Sequence, residues 1–142
     1  MFKHILLSVD LSDPASMTKA LMAGVEMARN GNGKLHVLTV VPEFGFPLVG
    51  QYFPEDAEKQ LIEGAKTALS DVCNAEIPDD IPVQHIVAQG SIYHRILEMA
   101  EKVGADLIVI SAHRPELKDY LLGPNAARVV RHANCSVLVI RD

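Results

Sequence analysis

Two short stretches hold most of the residue types that can do chemistry in this 142-residue chain. The first is Ser8-Val9-Asp10, where an apolar run ends in a hydroxyl and a carboxylate. The second starts at Ser111-Ala112-His113-Arg114-Pro115 and closes on Gly123-Pro124-Asn125-Ala126. It combines a guanidinium, which donates paired hydrogen bonds to phosphate oxygens, with a glycine that opens a short helix. The first N–H groups of a helix have no partner within it and lie at the positive end of its dipole, so an anion fits there. Together these residue types suit the binding of a phosphorylated small molecule.

Catalytic patterns are missing. There is no G-x-S-x-G elbow and no G-x-x-x-x-G-K-[ST] loop, and no Ser-Gly-Gly follows the first apolar run. The histidines at 4, 36, 85, 94, 113 and 132 form no i, i+4 pair and have no cysteine at ligand spacing, so no metal is expected. Cys73 and Cys135 belong to no CxxC pair and read as buried, reduced thiols. The net charge of -5 is spread without a basic stripe, which argues against nucleic acid as a partner. No apolar stretch approaches the length of a membrane span and no leader pattern precedes the first run, so the expected location is the cytoplasm.

The elements that must position these residues alternate strictly. Strands are expected at 3–10, 35–41, 83–88, 106–111 and 136–141. Their near-continuous apolar runs suit parallel strands buried on both faces. Helices are expected after a Ser12 or Asp13 cap with Pro14 in the first turn, over 55–75, from Gly90-Ser91 to Gly104, and over 124–133. Ala57, Leu61, Ala65, Ala68, Leu69 and Val72 should share one side of the second helix. Ile92, Ile96, Leu97 and Ala100 should face inward from the third. Residues 43–54, with Phe44, Phe46, Tyr52 and Phe53, read as a long loop whose aromatic side chains pack on the core, a partner or a ligand. The order β-α-β-α-β-α-β-α-β implies right-handed crossovers and one α/β domain over 1–142, with helices on both faces. In such sheets a ligand sits at the carboxyl ends of the strands where strand order reverses. With the first strand central, that point lies between strands one and four, next to both stretches.

The whole chain resembles the universal stress protein family. The resemblance rests on Ile5-Leu6-Leu7-Ser8-Val9-Asp10, on Leu38-Thr39-Val40-Val41 and on the helix opened by Gly90. It is strongest from Leu121-Leu122-Gly123-Pro124-Asn125-Ala126 through Arg131-His132-Ala133 to Ser136-Val137-Leu138-Val139-Ile140-Arg141. It implies a Rossmann-like five-stranded parallel sheet in the order 3-2-1-4-5. It also implies a homodimer formed through the last strand, Ser136 to Ile140, and a role as a stress-response binding module rather than an enzyme.

The implied ligand is ATP, or ADP or AMP, with Mg accompanying ATP. The implied nucleotide-binding residues are Ser8, Val9, Asp10, Val40, Ser111, His113, Arg114, Gly123, Pro124, Asn125 and Ala126. Nucleotide-binding members carry glycine, two residues, glycine, nine residues, then glycine with serine or threonine. Here Ser111 and Arg114 replace the first two glycines, eight residues separate Arg114 from Gly123, and Pro124 replaces the hydroxyl. This variant is similar to the subgroup lettered F and G. Asp10 then meets the base or caps the following turn, and both roles are compatible. His113 touches ribose or phosphate, or is a solvated loop residue. Arg114 meets phosphate, or pairs with Glu116 or Asp119 on the surface. Two further readings stay open: a nucleotide-free interaction module that has lost the phosphate motif, and a slow ATP hydrolase.

Overall fold

The computed structural model describes residues 1–41, 57–112 and 123–141. Its strands are β1 (His4–Ser8), β2 (Lys34–Val41), β3 (Val83–Gln89), β4 (Leu107–Ser111) and β5 (Ser136–Ile140). Its helices are α1 (Pro14–Gly31), α2 (Ala57–Glu76), α3 (Ile92–Val103) and α4 (Pro124–His132). All strand pairs are parallel, as the alternation implies, and the order is β3-β2-β1-β4-β5, as the resemblance implies.

Side-chain alternation along β1 explains why both faces are covered. Ile5, Leu7 and Val9 join a core with Met17, Leu21 and Val25 of α1 and with Leu69 and Cys73 of α2. Leu6 points the other way, into a core with Ile96 and Ala100 of α3 and with Ala126 and Val129 of α4. Ile5, Leu6 and Leu7 are all 0% exposed. Burying one such side chain stabilises the fold by about 1.5–3 kcal/mol, so β1 anchors both layers at once.

Helix ends follow local chemistry. Asp13 caps α1 by accepting from the Ser16 N–H at 3.4 Å, and Pro14 occupies the first turn. Asn32 ends α1 in the left-handed region, with φ 52°. Before α3, Gly90 adopts φ +125°, a conformation that side chains rarely tolerate, while its N–H donates to the Val41 carbonyl at 2.9 Å.

Three details differ from the sequence expectation. In α2 only Leu69 and Cys73 are buried, while Ala68 is exposed and Leu61 is 38% exposed. Ile92 is 41% exposed at the start of α3. Leu61 and Ile92 border a crevice instead of the packed core, which helical periodicity does not distinguish. Cys135 is half-buried, because it lies just before the edge strand β5; Cys73 is buried as expected. The aromatic loop residues Phe44, Phe46, Tyr52 and Phe53 lie outside the described residues. Among the described residues, no helix is long and apolar enough to cross a membrane.

Candidate functional site

A crevice of about 920 Å³ opens where β1 and β4 end and strand order reverses. That volume lies toward the upper end of the usual range for small-molecule sites, about 300–1,000 Å³. Ser8, Val9 and Asp10 line it from β1 and the residues just after it. Val40 lines it from β2, and Ser111 from β4. Gly123, Asn125 and Ala126 close it from the start of α4. Residues far apart in sequence therefore meet at one opening. Pro124 is exposed and is not part of the lining. His113 and Arg114 lie outside the described residues.

Asp10 is exposed and organises the turn after β1. Its Oδ1 accepts from the Ser12 N–H at 2.9 Å and from the Ser12 hydroxyl at 2.6 Å. This is the turn-capping role, built from local bonds. The Ser111 hydroxyl donates to the Ser16 carbonyl at 3.3 Å, so the end of β4 is tied to the first turn of α1. Gly123 caps α4 with φ -72° and ψ 169°, ordinary extended backbone that demands no glycine. Among the described residues no side-chain cap bond is made to the first turn of α4, and Gly123, Asn125 and Ala126 line the crevice there as an anion-compatible surface.

The crevice also has lining residues that the sequence reading did not assign. Thr39 and Val41 flank Val40 at the end of β2, and Ser12, Asp13 and Ser16 surround the start of α1. One rule would have found them: the strand ends and helix starts around the point where strand order reverses face the same opening. Leu61, Ala65 and Ile92 add an apolar wall, visible only once α2 and α3 are docked.

A second cavity, about 240 Å³, lies near the opposite end of the sheet between α3 and α4. Leu97, Ala100, Ala105, Ile108 and Cys135 make it largely apolar, with Glu101, His132 and Asn134 also in its lining. Burial, with a further contribution from Asp106, raises the Cys135 thiol above its usual range. Burial pushes the Cys73 thiol up to about 11. Both thiols are thus protonated at neutral pH and poor nucleophiles. Among the described residues, no group of three or more His, Cys, Asp or Glu side chains is placed to hold a metal ion.

Comparison with known proteins agrees with this architecture. Universal stress protein G of Escherichia coli O157:H7 is 33% identical, over 99% of this chain and 100% of its own length. A structure of the hypothetical protein MJ0577, solved as a test of assigning biochemical function from structure, superposes with a TM-score of 0.76. It is 25% identical and covers 100% of this chain and 97% of its own. A universal stress protein solved in complex with cAMP shares the fold at 23% identity and TM-score 0.65, covering 99% of this chain and 97% of its own. The description of the Universal stress protein family matches residues 1–141, and this chain belongs to that family.

Proposed function

We propose that this protein is a stress-response module that binds ATP in the crevice between β1 and β4 and acts through its occupied state. The observation that carries the reading is the convergence of Asp10, Ser111 and the Gly123-started helix α4 on one opening of about 920 Å³. The fold relative in complex with cAMP gives a precedent for a nucleotide on this architecture.

In this reading the base lies toward Asp10 and the apolar wall of Leu61 and Ile92. The unused acceptor capacity of the Asp10 carboxylate receives an adenine amino hydrogen. The phosphates lie at Gly123, Asn125 and Ala126, where helix N–H groups lower the cost of anionic charge. Pro124 removes one donor from that cradle, and Arg114 supplies a charge-assisted replacement. Mg accompanies the ATP tail rather than a protein-built metal site. Location is cytoplasmic. The edge strand β5, with Val137, Leu138, Val139 and Ile140 half-buried, pairs with its mate in a homodimer.

Native mass spectrometry of the purified full chain tests both claims at once. The expected result is a dimer mass carrying nucleotide or taking up added ATP. A monomer at roughly tens of micromolar, the working range for a stable interface, removes the dimer. Failure to take up ATP at about millimolar levels, a free energy near -4 kcal/mol, removes the nucleotide and favours the interaction module. In the same measurement Arg114→Ala should weaken ATP more than AMP, by about 1.5–3 kcal/mol for a lost charge-assisted contact. Equal weakening would place Arg114 away from the phosphate tail.

A further inference from the structure

The end of the sheet opposite the crevice carries titratable groups that nucleotide binding does not use. His36, on β2, is 4% exposed and registers with Leu6 of β1 and Gln84 of β3. His4, the exposed first residue of β1, places its Nδ1 3.1 Å from His36 Nε2. The two rings stack with centroids 5.4 Å apart and planes 29° apart. On the far side, His36 Nδ1 lies 2.5 Å from Gln84 Oε1.

These contacts determine where the protons go. An amide oxygen only accepts, so His36 carries its proton on Nδ1 and presents a bare Nε2. That nitrogen accepts from His4 Nδ1–H. His4 can take a second proton on its Nε2 and remain a donor. A second proton on His36 has no such place, because it would sit on Nε2 and face the His4 Nδ1–H. The pair therefore accommodates one positive charge and not two.

We propose that His4 and His36 form a single-proton clamp across β1 and β2, an acid-sensitive latch that releases the amino end of the central strand when both rings become charged. The surrounding groups support this. Burial is the main influence lowering the His36 pKa, and His4 and Lys34 also disfavour its charge, while the Gln84 bond opposes them. Asp106, in the turn before β4, accepts from the Lys3 and His4 N–H groups at 2.8 and 3.0 Å and attracts a charge on His4. The latch is flanked by two main-chain bonds, Lys34 N–H to the Lys3 carbonyl at 2.8 Å and Asp106 N–H to the His4 carbonyl at 2.9 Å. With its folded-state pKa lowered, His36 binds a proton more readily in the unfolded chain. Its contribution is complete above the unfolded value of about 6.5 and fades as pH falls below it.

The test follows imidazole nitrogen shifts and amide protection factors of the full-length protein from about pH 7.5 to about pH 5, the range over which histidines titrate. Charging of His36 should coincide with a loss of about tenfold in protection at Lys34 and Asp106, a local opening rather than global unfolding. His4→Gln keeps a donor to His36 Nε2 and offers an acceptor when that nitrogen is protonated, so its loss should shrink to about twofold or less. His36→Gln, which removes the buried titration, should show no pH-linked loss. Undiminished protection with both rings charged would overturn the proposal. So would a wild-type loss that persists in His4→Gln.

Discussion

At the carboxyl end of the sheet, Asp10 and Asp13 hydrogen-bond to residues two and three positions away. At the amino end, Asp106 reaches Lys3 and His4 across 103 and 102 positions of chain. His36 likewise joins three strands through His4 and Gln84. The Asp10 and Asp13 bonds shape a turn and a helix start without tying distant segments together, whereas the Ser111 hydroxyl at the same crevice reaches the Ser16 carbonyl across 95 positions. Long-range bonds hold elements together and leave less freedom for exchange. The contrast thus lies in the carboxylates: Asp10 and Asp13 shape local turns at the crevice, and Asp106 fastens separate segments at the other end.

The sharpest way to break this comparison is at the backbone of the crevice end. Gly90→Ala would force a side chain into φ +125° and bring its Cβ to 3.2 Å from Arg95 Nε. The expected cost is about 1–3 kcal/mol, readable by chemical denaturation. A loss this large would show that the crevice end owes its stability to main-chain geometry as well as to its local side-chain bonds. A loss below about 0.5 kcal/mol would mean that the turn relaxes.

Asp106→Asn probes the fastening end and should cost about 1 kcal/mol, because one of two oxygen acceptors is lost. Although burial raises the Asp106 pKa, the N–H groups of Lys3 and His4 and the charge on His4 hold it below its usual value. The folded protein therefore binds this proton less readily than the unfolded chain. The resulting stability is present above the unfolded value, about 3.9, and is lost as pH falls through the folded one. Melting curves should show a shallower acid loss below about pH 4 in the variant. An unchanged acid limb would assign that loss to other carboxylates.

Asp10→Ala should have the smallest effect on the fold. Its bonds are exposed and local, so the melting free energy should move by less than about 1 kcal/mol while ATP binding weakens. A large loss of stability would make Asp10 a fastening residue and erase the contrast between the two ends.

Apolar runs at 3–10, 35–41 and 106–111, alternating with helical segments, were enough to indicate a parallel sheet covered on both faces, while the strand order, and with it the place of the crevice, came from the family resemblance. Buried parallel strands need continuous apolar sequence, and crossover handedness leaves few arrangements for it. Ser8, Asp10, Ser111 and Gly123 were legible because strand ends and helix starts are marked by local residue types. Other features had no local signal. Leu61 and Ile92 carry the same helical periodicity as core residues, and docking alone turned them toward the crevice. His4 and His36 lie 32 positions apart, and no ligand spacing marks them. Parallel pairing of β1 with β2 sets His4 opposite Lys34 and Leu6 opposite His36, and that register brings the two imidazoles together. Contacts across a parallel sheet depend on register between distant segments, so they are decided by the tertiary structure.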